Sequence, residues 1–172
     1  MGYTKDFTGE FTVTPALDAA QVAYLAAFNK TRRMQRDEQV TVTRPDPVRD
    51  AVGLPVGPQG GYFVGAGGGY GQEDGDRKSL GIVDYNQPPT GQPGLWCQWE
   101  PSADGGTIAW DGGEKFYDYV EWLEYLVENF LKPWGRVLSG EVTWSGEDEE
   151  DRGKIVVREN KVSTLQGRTV YS

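Results

Sequence analysis

Residues 35 to 93 set the strongest limit on what this chain can fold into. Pro45, Pro47, Pro55, Pro58, Pro88, Pro89 and Pro93 fall there, with the run Gly65-Ala-Gly-Gly-Gly-Tyr-Gly71. Proline removes a backbone donor and fixes φ, and glycine loses the most entropy on ordering, so long helices and central strands do not suit this tract. Two short strand candidates interrupt it, Gly61 to Ala66 and Leu80 to Tyr85, and Tyr62, Phe63, Tyr70 and Tyr85 can pack it down at intervals. A connection of this length within a compact domain is usually functional or mobile. Long regular elements must come from the flanks.

On the N-terminal side, Phe7, Phe11 and Val13 alternate with Thr8, Glu10, Thr12 and Thr14, the pattern of a half-buried strand. Pro15 ends it. Asp18 and Gln21 have capping-box spacing, with Leu17 and Val22 placed as a staple, and predict a helix to about Arg33. On the C-terminal side, Leu95, Cys97 and Trp99 alternate with Trp96, Gln98 and Glu100, and Thr107 to Trp110 returns as a second strand.

A helix is predicted next, capped by Asp111 with Glu114 reciprocal. Its apolar stripe is Phe116, Val120, Leu123, Val127 and Phe130, widened by Tyr119 and Leu126. Each stripe residue, once buried, contributes about 1.5–3 kcal/mol before entropy is charged. Pro133 and Gly135 stop this helix. Val137 to Glu147 and Gly153 to Arg158 are predicted strands around the acidic turn Glu147 to Asp151. A turn at Asn160-Lys161 leads to an edge strand from Val162, and residues 167 to 172 form a loose tail.

The order β-α, insertion, β-β-α-β, then extra strands predicts an α+β fold. The expected form is a mostly antiparallel sheet with two helices on one face, in the ferredoxin-like βαββαβ arrangement. One domain over residues 1 to 172 is expected, with 35 to 93 as its insertion. No internal repeat is present.

Composition excludes several chemistries. Cys97 is the only cysteine and histidine is absent, so an intrachain disulfide, a thiolate zinc cluster and imidazole catalysis all fall away. The glycine run is not a dinucleotide fingerprint, because Tyr70 holds the third glycine position, and no phosphate-loop motif is present. Glu10, Glu100, Glu141 and Glu147, and the stretch Glu73-Asp-Gly-Asp76, have no spacing that demands a cation. No catalytic residue, metal or cofactor is therefore assigned. The net charge of −9, from 26 acidic and 17 basic residues, opposes direct nucleic-acid binding and suits a basic protein partner. The polar start MGYTKDF and the lack of a long apolar run predict a cytoplasmic chain with no membrane partner.

Two candidate sites remain. Asp118, Glu121, Glu124 and Glu128 share one broad face of the predicted helix, flanked by Tyr117, Trp122 and Tyr125. This acidic, aromatic face is the first candidate, and the Glu147–Asp151 run extends it. The second is a pocket for a polar ring or small-molecule ligand, built from Trp96, Gln98, Glu100, Asp111 and Tyr117 with the Gly-rich tract as lid. Cys97 is expected to be a small core residue.

The stretches GYFVGAGG, DYNQPPTGQPGLWCQW, WDGGEKFYDYVEWLEYL and FLKPWGRVLSGEVTWSGEDEEDRGKIVV, with weaker echoes in GEFTVTPAL and TRRMQRD, resemble a family of uncharacterised proteins from bacterial and phage genomes. The resemblance covers residues 61 to 163 and implies a defined domain from a mobile element, without assigning a catalytic residue. The resulting expectation is a non-catalytic, acidic binding or inhibitory protein of phage or mobile-element accessory type. The alternatives are a small-molecule or nucleotide binder, or modest enzyme, around the Trp96 pocket, and a structural role in a particle.

Overall fold

The computed structural model describes residues 2–65 and 81–168. The glycine run from Ala66 onward, Tyr70, Glu73 to Asp76, Leu80 and the tail from Thr169 lie outside the described residues. The chain groups into two compact units, one of residues 1–17 and 98–172 and one of residues 18–97.

The first unit is built on a six-stranded antiparallel sheet. Its strands are β1 (Lys5–Thr14), and then, after the second unit's segment, β4 (Trp99–Pro101), β5 (Thr107–Trp110), β6 (Val137–Gly146), β7 (Arg152–Arg158) and β8 (Lys161–Gln166). Their order is β4-β5-β1-β6-β7-β8. The fold is therefore α+β with a mostly antiparallel sheet. β1 and β6 pair over their full lengths, from Lys5 opposite Gly146 to Thr14 opposite Val137.

Period-two alternation sorts the two faces. Phe7, Phe11, Val13, Leu138, Val142, Trp144, Ile155 and Val157 are buried on one side, while Thr8, Glu10, Thr12, Glu141, Thr143 and Ser145 are exposed on the other. Glycine is required at two central positions. Gly9 (φ +110) and Gly140 (φ +139) lie in a region that L side chains avoid, and a β-carbon on Gly9 would stand 2.9 Å from the Glu141 carbonyl.

The helix α4 (Tyr119–Leu126) covers the buried face and continues through a π-type turn, Val127–Leu131. Trp122, Leu123, Leu126, Val127, Phe130 and Leu131 are buried beneath it. At its start, Phe7 stands within 5.0–5.8 Å of the rings of Trp99, Trp110, Phe116 and Tyr119, and Trp99 Nε1 donates to the Tyr119 carbonyl (2.9 Å). Edge-on packing of this kind adds about 0.5–1.5 kcal/mol per pair beyond area burial.

The helix does not begin at Asp111. The Asp111 carboxylate accepts from the Gly113 N–H (2.7 Å), Trp110 Nε1 donates to the Gly113 carbonyl (3.1 Å), and Gly112, Lys115 and Asp118 have φ of 85°, 57° and 58°. Those left-handed residues forbid a helical path, so Asp111 closes an Asx turn and Glu114 sits in a loop. Phe116 lies outside the helix yet is buried by the aromatic cluster. The Leu95–Glu100 strand is reduced to β4, Trp99–Pro101.

The second unit carries α1 (Ala19–Lys30), β2 (Gln35–Arg36), α2 (Glu38–Thr41), α3 (Pro47–Asp50), a 3-10 turn Pro58–Gly60 and β3 (Ile82–Asp84), which pairs antiparallel with β2. Asp18 and Gln21 form the expected capping box, at 2.8 and 3.0 Å. The helix ends three residues early because Thr31 turns extended and its hydroxyl bonds back to the Ala27 carbonyl (2.7 Å). Described residues 61 to 65 are not a strand. Their place is fixed by Arg33, fully buried, whose guanidinium donates to the carbonyls of Gly61 (2.7 Å) and Phe63 (3.1 Å) and to Gln92 Oε1 (3.2 Å). Asp46, also buried, accepts from the Val64 N–H (3.1 Å) and Arg49 Nε (3.2 Å), and burial pushes its carboxyl up.

Candidate protein-binding cleft

α4 carries the acidic candidates, and its packing decides which of them reach solvent. Glu121, Glu124 and Glu128 are exposed, because the stripe of Trp122, Leu123, Leu126 and Val127 holds the opposite side against the sheet. Trp122 was expected beside the acids, but its side chain is fully buried. The stripe is wider than the i, i+4, i+7 count implies, and a tryptophan next to Leu123 falls inside it. Tyr125 is half-buried, with its ring 5.5 Å from Trp122 and 5.9 Å from Phe130.

Asp118 is exposed and precedes the helix in a left-handed conformation, without a side-chain capping bond. Partial burial, reinforced by the Glu121 charge, raises its carboxyl above the ordinary value. Glu128 is held by Lys132 at 2.6 Å. Glu121 and Glu124 make no ion pair among the described residues.

Beside this face lies a cleft of about 630 Å³. Its lining brings Glu124, Val127, Glu128 and Lys132 of the helical segment together with Arg158, Lys161 and Val162 of the β7–β8 hairpin. The β7–β8 hairpin that brings Arg158 and Lys161 here turns on Glu159 and Asn160, at φ 48° and 69°. Asn160 anchors it: its Oδ1 accepts from the Leu138 N–H (2.6 Å) and its Nδ2 donates to the Arg136 carbonyl (3.1 Å). Sequence reasoning placed a turn here but did not bring Arg158 and Lys161 to Glu124. The signal available was the pair of charged residues flanking a two-residue turn.

The second candidate assembles only in part. Gln98 and Asp111 meet around Gly113, but the Gln98 amide donates to the Glu114 carbonyl (2.9 Å) and Asp111 holds the Gly113 N–H. The Tyr117 hydroxyl instead accepts from the Tyr3 N–H (3.2 Å). Glu100 is half-buried on β4. Trp96 is exposed and groups with the other unit. Cys97 is a buried thiol, as expected.

A polar network missed by the sequence reading joins Tyr3, Lys5, Tyr119, Trp144 and Asp151. Tyr3 and Trp144 donate to the two Asp151 oxygens (2.8 and 3.1 Å), and Lys5 Nζ stands 3.4 Å away while donating to Tyr119 (2.9 Å). Burial would raise the Asp151 carboxyl, but these hydrogen bonds and the Lys5 charge outweigh it and hold it below the ordinary value. The network fixes the base of the acidic Glu147–Asp151 turn.

Among the described residues no group of acidic or cysteine side chains is placed to hold a metal, and no helix is long and apolar enough to cross a membrane. Comparison with protein-family models, with curated proteins and with solved structures finds no match for this chain.

Proposed function

We propose that this chain is a non-catalytic binding protein, of phage or mobile-element accessory type, that recognises a basic protein surface in the cytoplasm. The observation that carries the reading is the outward row Glu121, Glu124 and Glu128 on a segment whose next cations are Lys115 and Lys132. Asp118 and Tyr125 flank the row. Exposed carboxylates of this kind add about 0.2–1 kcal/mol each on pairing and act mainly by steering the encounter. The acidic balance favours a protein over a nucleic acid as partner.

The sheet supports a finer reading of the architecture. Strands β4-β5-β1-β6 run in the order of a ferredoxin-like βαββαβ core, with α1 between β1 and β4 in sequence and α4 between β5 and β6. On that reading β7 and β8 are additions, and they are what supplies the cleft. The alternative, a small-molecule site around Trp96, Gln98, Glu100, Asp111 and Tyr117, draws less support. The Gln98 amide and the Asp111 carboxylate are already engaged with loop backbone.

Fluorescence anisotropy with labelled lysine-rich and glutamate-rich peptides tests the proposal. Lysine-rich peptides should bind at low salt and weaken at least tenfold at 0.3 M salt. The triple change Glu121→Gln, Glu124→Gln and Glu128→Gln should weaken them at least tenfold at constant thermal stability. Equal affinity for both peptides, or no loss in the triple variant, overturns it.

A further inference from the structure

β8 ends the six-stranded sheet, and its backbone phase can be worked out. In a two-residue hairpin turning on Glu159 and Asn160, the flanking Arg158 and Lys161 close the ladder as a hydrogen-bonded pair. Antiparallel alternation then directs the backbone groups of Lys161, Ser163 and Leu165 to β7, and those of Val162, Thr164 and Gln166 away from it. The Gly167 N–H, donating to the Arg152 carbonyl at 2.7 Å, continues the same phase. Among the described residues no strand pairs with the outward row.

The charge along the cleft has a direction. Tyr119, at the start of α4, stands 5.9 Å from Trp144, which is opposite Gly153, which is opposite Gln166. At the other end the Leu131 carbonyl accepts from the Arg136 N–H, and the Arg136 carbonyl accepts from Asn160 beside Lys161. α4 therefore runs from the Gln166 end of β8 to the Lys161 end. Glu124 and Glu128 come first along this path, then Lys132, Arg158 and Lys161. Lys132 is engaged by Glu128, whereas Arg158 and Lys161 make no ion pair among the described residues.

We propose that the outer edge of β8 receives an extended internal segment of a partner protein as a seventh strand, antiparallel to β8, with basic side chains on the α4 side toward Glu124 and Glu128, followed by an acidic one paired opposite Lys161 and turned to the other side of the sheet with Arg158 and Lys161. The polarity follows from the strand direction, because an antiparallel segment enters at Gln166 and leaves at Lys161. The face follows from the register. Val162 and Thr164 share the α4-covered side with Val157 and Ile155, so residues paired opposite them turn their side chains to α4 as well. Main-chain bonding supplies affinity and the alternate side chains supply selection. The inference rests on the acidic-face reading and adds the conformation, direction and charge order of the partner.

The probe is a capped hexapeptide, Lys-Thr-Lys-Thr-Thr-Glu, with the reversed order Glu-Thr-Thr-Lys-Thr-Lys as its control. Amide hydrogen exchange of the full chain by NMR is the readout. The expected result is at least tenfold slower exchange at Val162, Thr164 and Gln166, with little change at Ser163 and Leu165, and tighter binding of the first peptide than of the control. Methylating the backbone nitrogen of the peptide's second lysine should abolish the protection, as should Thr164→Pro, whose lost N–H lies on the outer edge. The methylated peptide decides the matter if that variant does not fold. Binding to the acidic face without protection of the three amides overturns the added strand and leaves the acidic-face reading standing. Failure of both this probe and simple lysine-rich peptides to bind at low salt overturns both. Protection that grows with protein concentration in the absence of peptide, with a doubled mass, assigns the edge to a second copy and overturns the proposal.

Discussion

Asp151 accepts hydrogen bonds from Tyr3 and Trp144 and faces Lys5, and those partners hold its carboxyl below the ordinary range. A carboxylate depressed on folding stabilises above its unfolded pKa, and the contribution disappears as pH falls through the folded value. Asp151→Asn should therefore lower stability at pH 7 by about 1 kcal/mol, the net worth of a hydrogen bond or two to a charged group. The gap from the wild type should close as the pH falls below the ordinary carboxylate value of about 3.9. Thermal melts on both sides of that value check it, and a gap independent of pH would refute the charge argument. None of these partners neighbours Asp151 closely in sequence except Trp144, so a one-dimensional reading saw only an acidic run. Trp122 failed for a related reason: its spacing from Glu121 and Tyr125 was visible, but the width of the buried stripe is set by the sheet beneath.

At the scale of elements, local chemistry was legible wherever periodicity was long. Residues 137 to 146 and 152 to 158 were expected as strands nearly to the residue, and the Asp18–Gln21 box was read from spacing alone. The start of α4 was not, because Asp111-Gly-Gly-Glu114 satisfies a capping pattern while Gly112, Lys115 and Asp118 adopt positive φ. Asp118 pays for its place twice, in backbone conformation and in proximity to Glu121. Its raised carboxyl means that ionisation disfavours the folded state as pH rises through the folded value. Asp118→Asn, which keeps the tolerance for a left-handed backbone, should stabilise by a few tenths of a kcal/mol at pH 7, the scale of like-charge helical pairs, and not at pH 3. Chemical denaturation at the two pH values measures it. The β7–β8 hairpin offers a contrast. Glu159 is a poor residue for φ 48° and Glu159→Gly should stabilise by about 0.5–1 kcal/mol. Asn160→Gly keeps the permitted conformation but should cost about 2 kcal/mol, because the Leu138 N–H and the Arg136 carbonyl each lose a bonded partner.

For the molecule as a whole, the element order predicted an antiparallel α+β sheet, and the alternation along β1, β6 and β7 named most of its buried face. The cleft was less legible, since it depends on α4 passing close to β8, a relation between residues 124 and 161 that no local pattern encodes. The segment from 35 to 93 looked like one long irregular insertion because its described residues are held largely by single anchored side chains. Arg33, Asp46 and Gln92 bind backbone groups far away in sequence, and such bonds leave no periodic trace.

The sheet order has a consequence for synthesis. β1 emerges from the ribosome before its sheet partners, so Phe11 must wait for Ile108 and Phe7 for Trp144 before either can pair. Residues 18 to 97 are contiguous and group as one compact unit, whose chain is made well before β6 exists. Non-local pairing of this kind is slow, and an exposed early strand is a hazard while it lasts. Nascent chains arrested with residue 130 just outside the tunnel should resist limited proteolysis within residues 18 to 65 while remaining cleavable in residues 5 to 14. Release of about twenty more residues should protect both, once β6 clears the exit with its 10 residues.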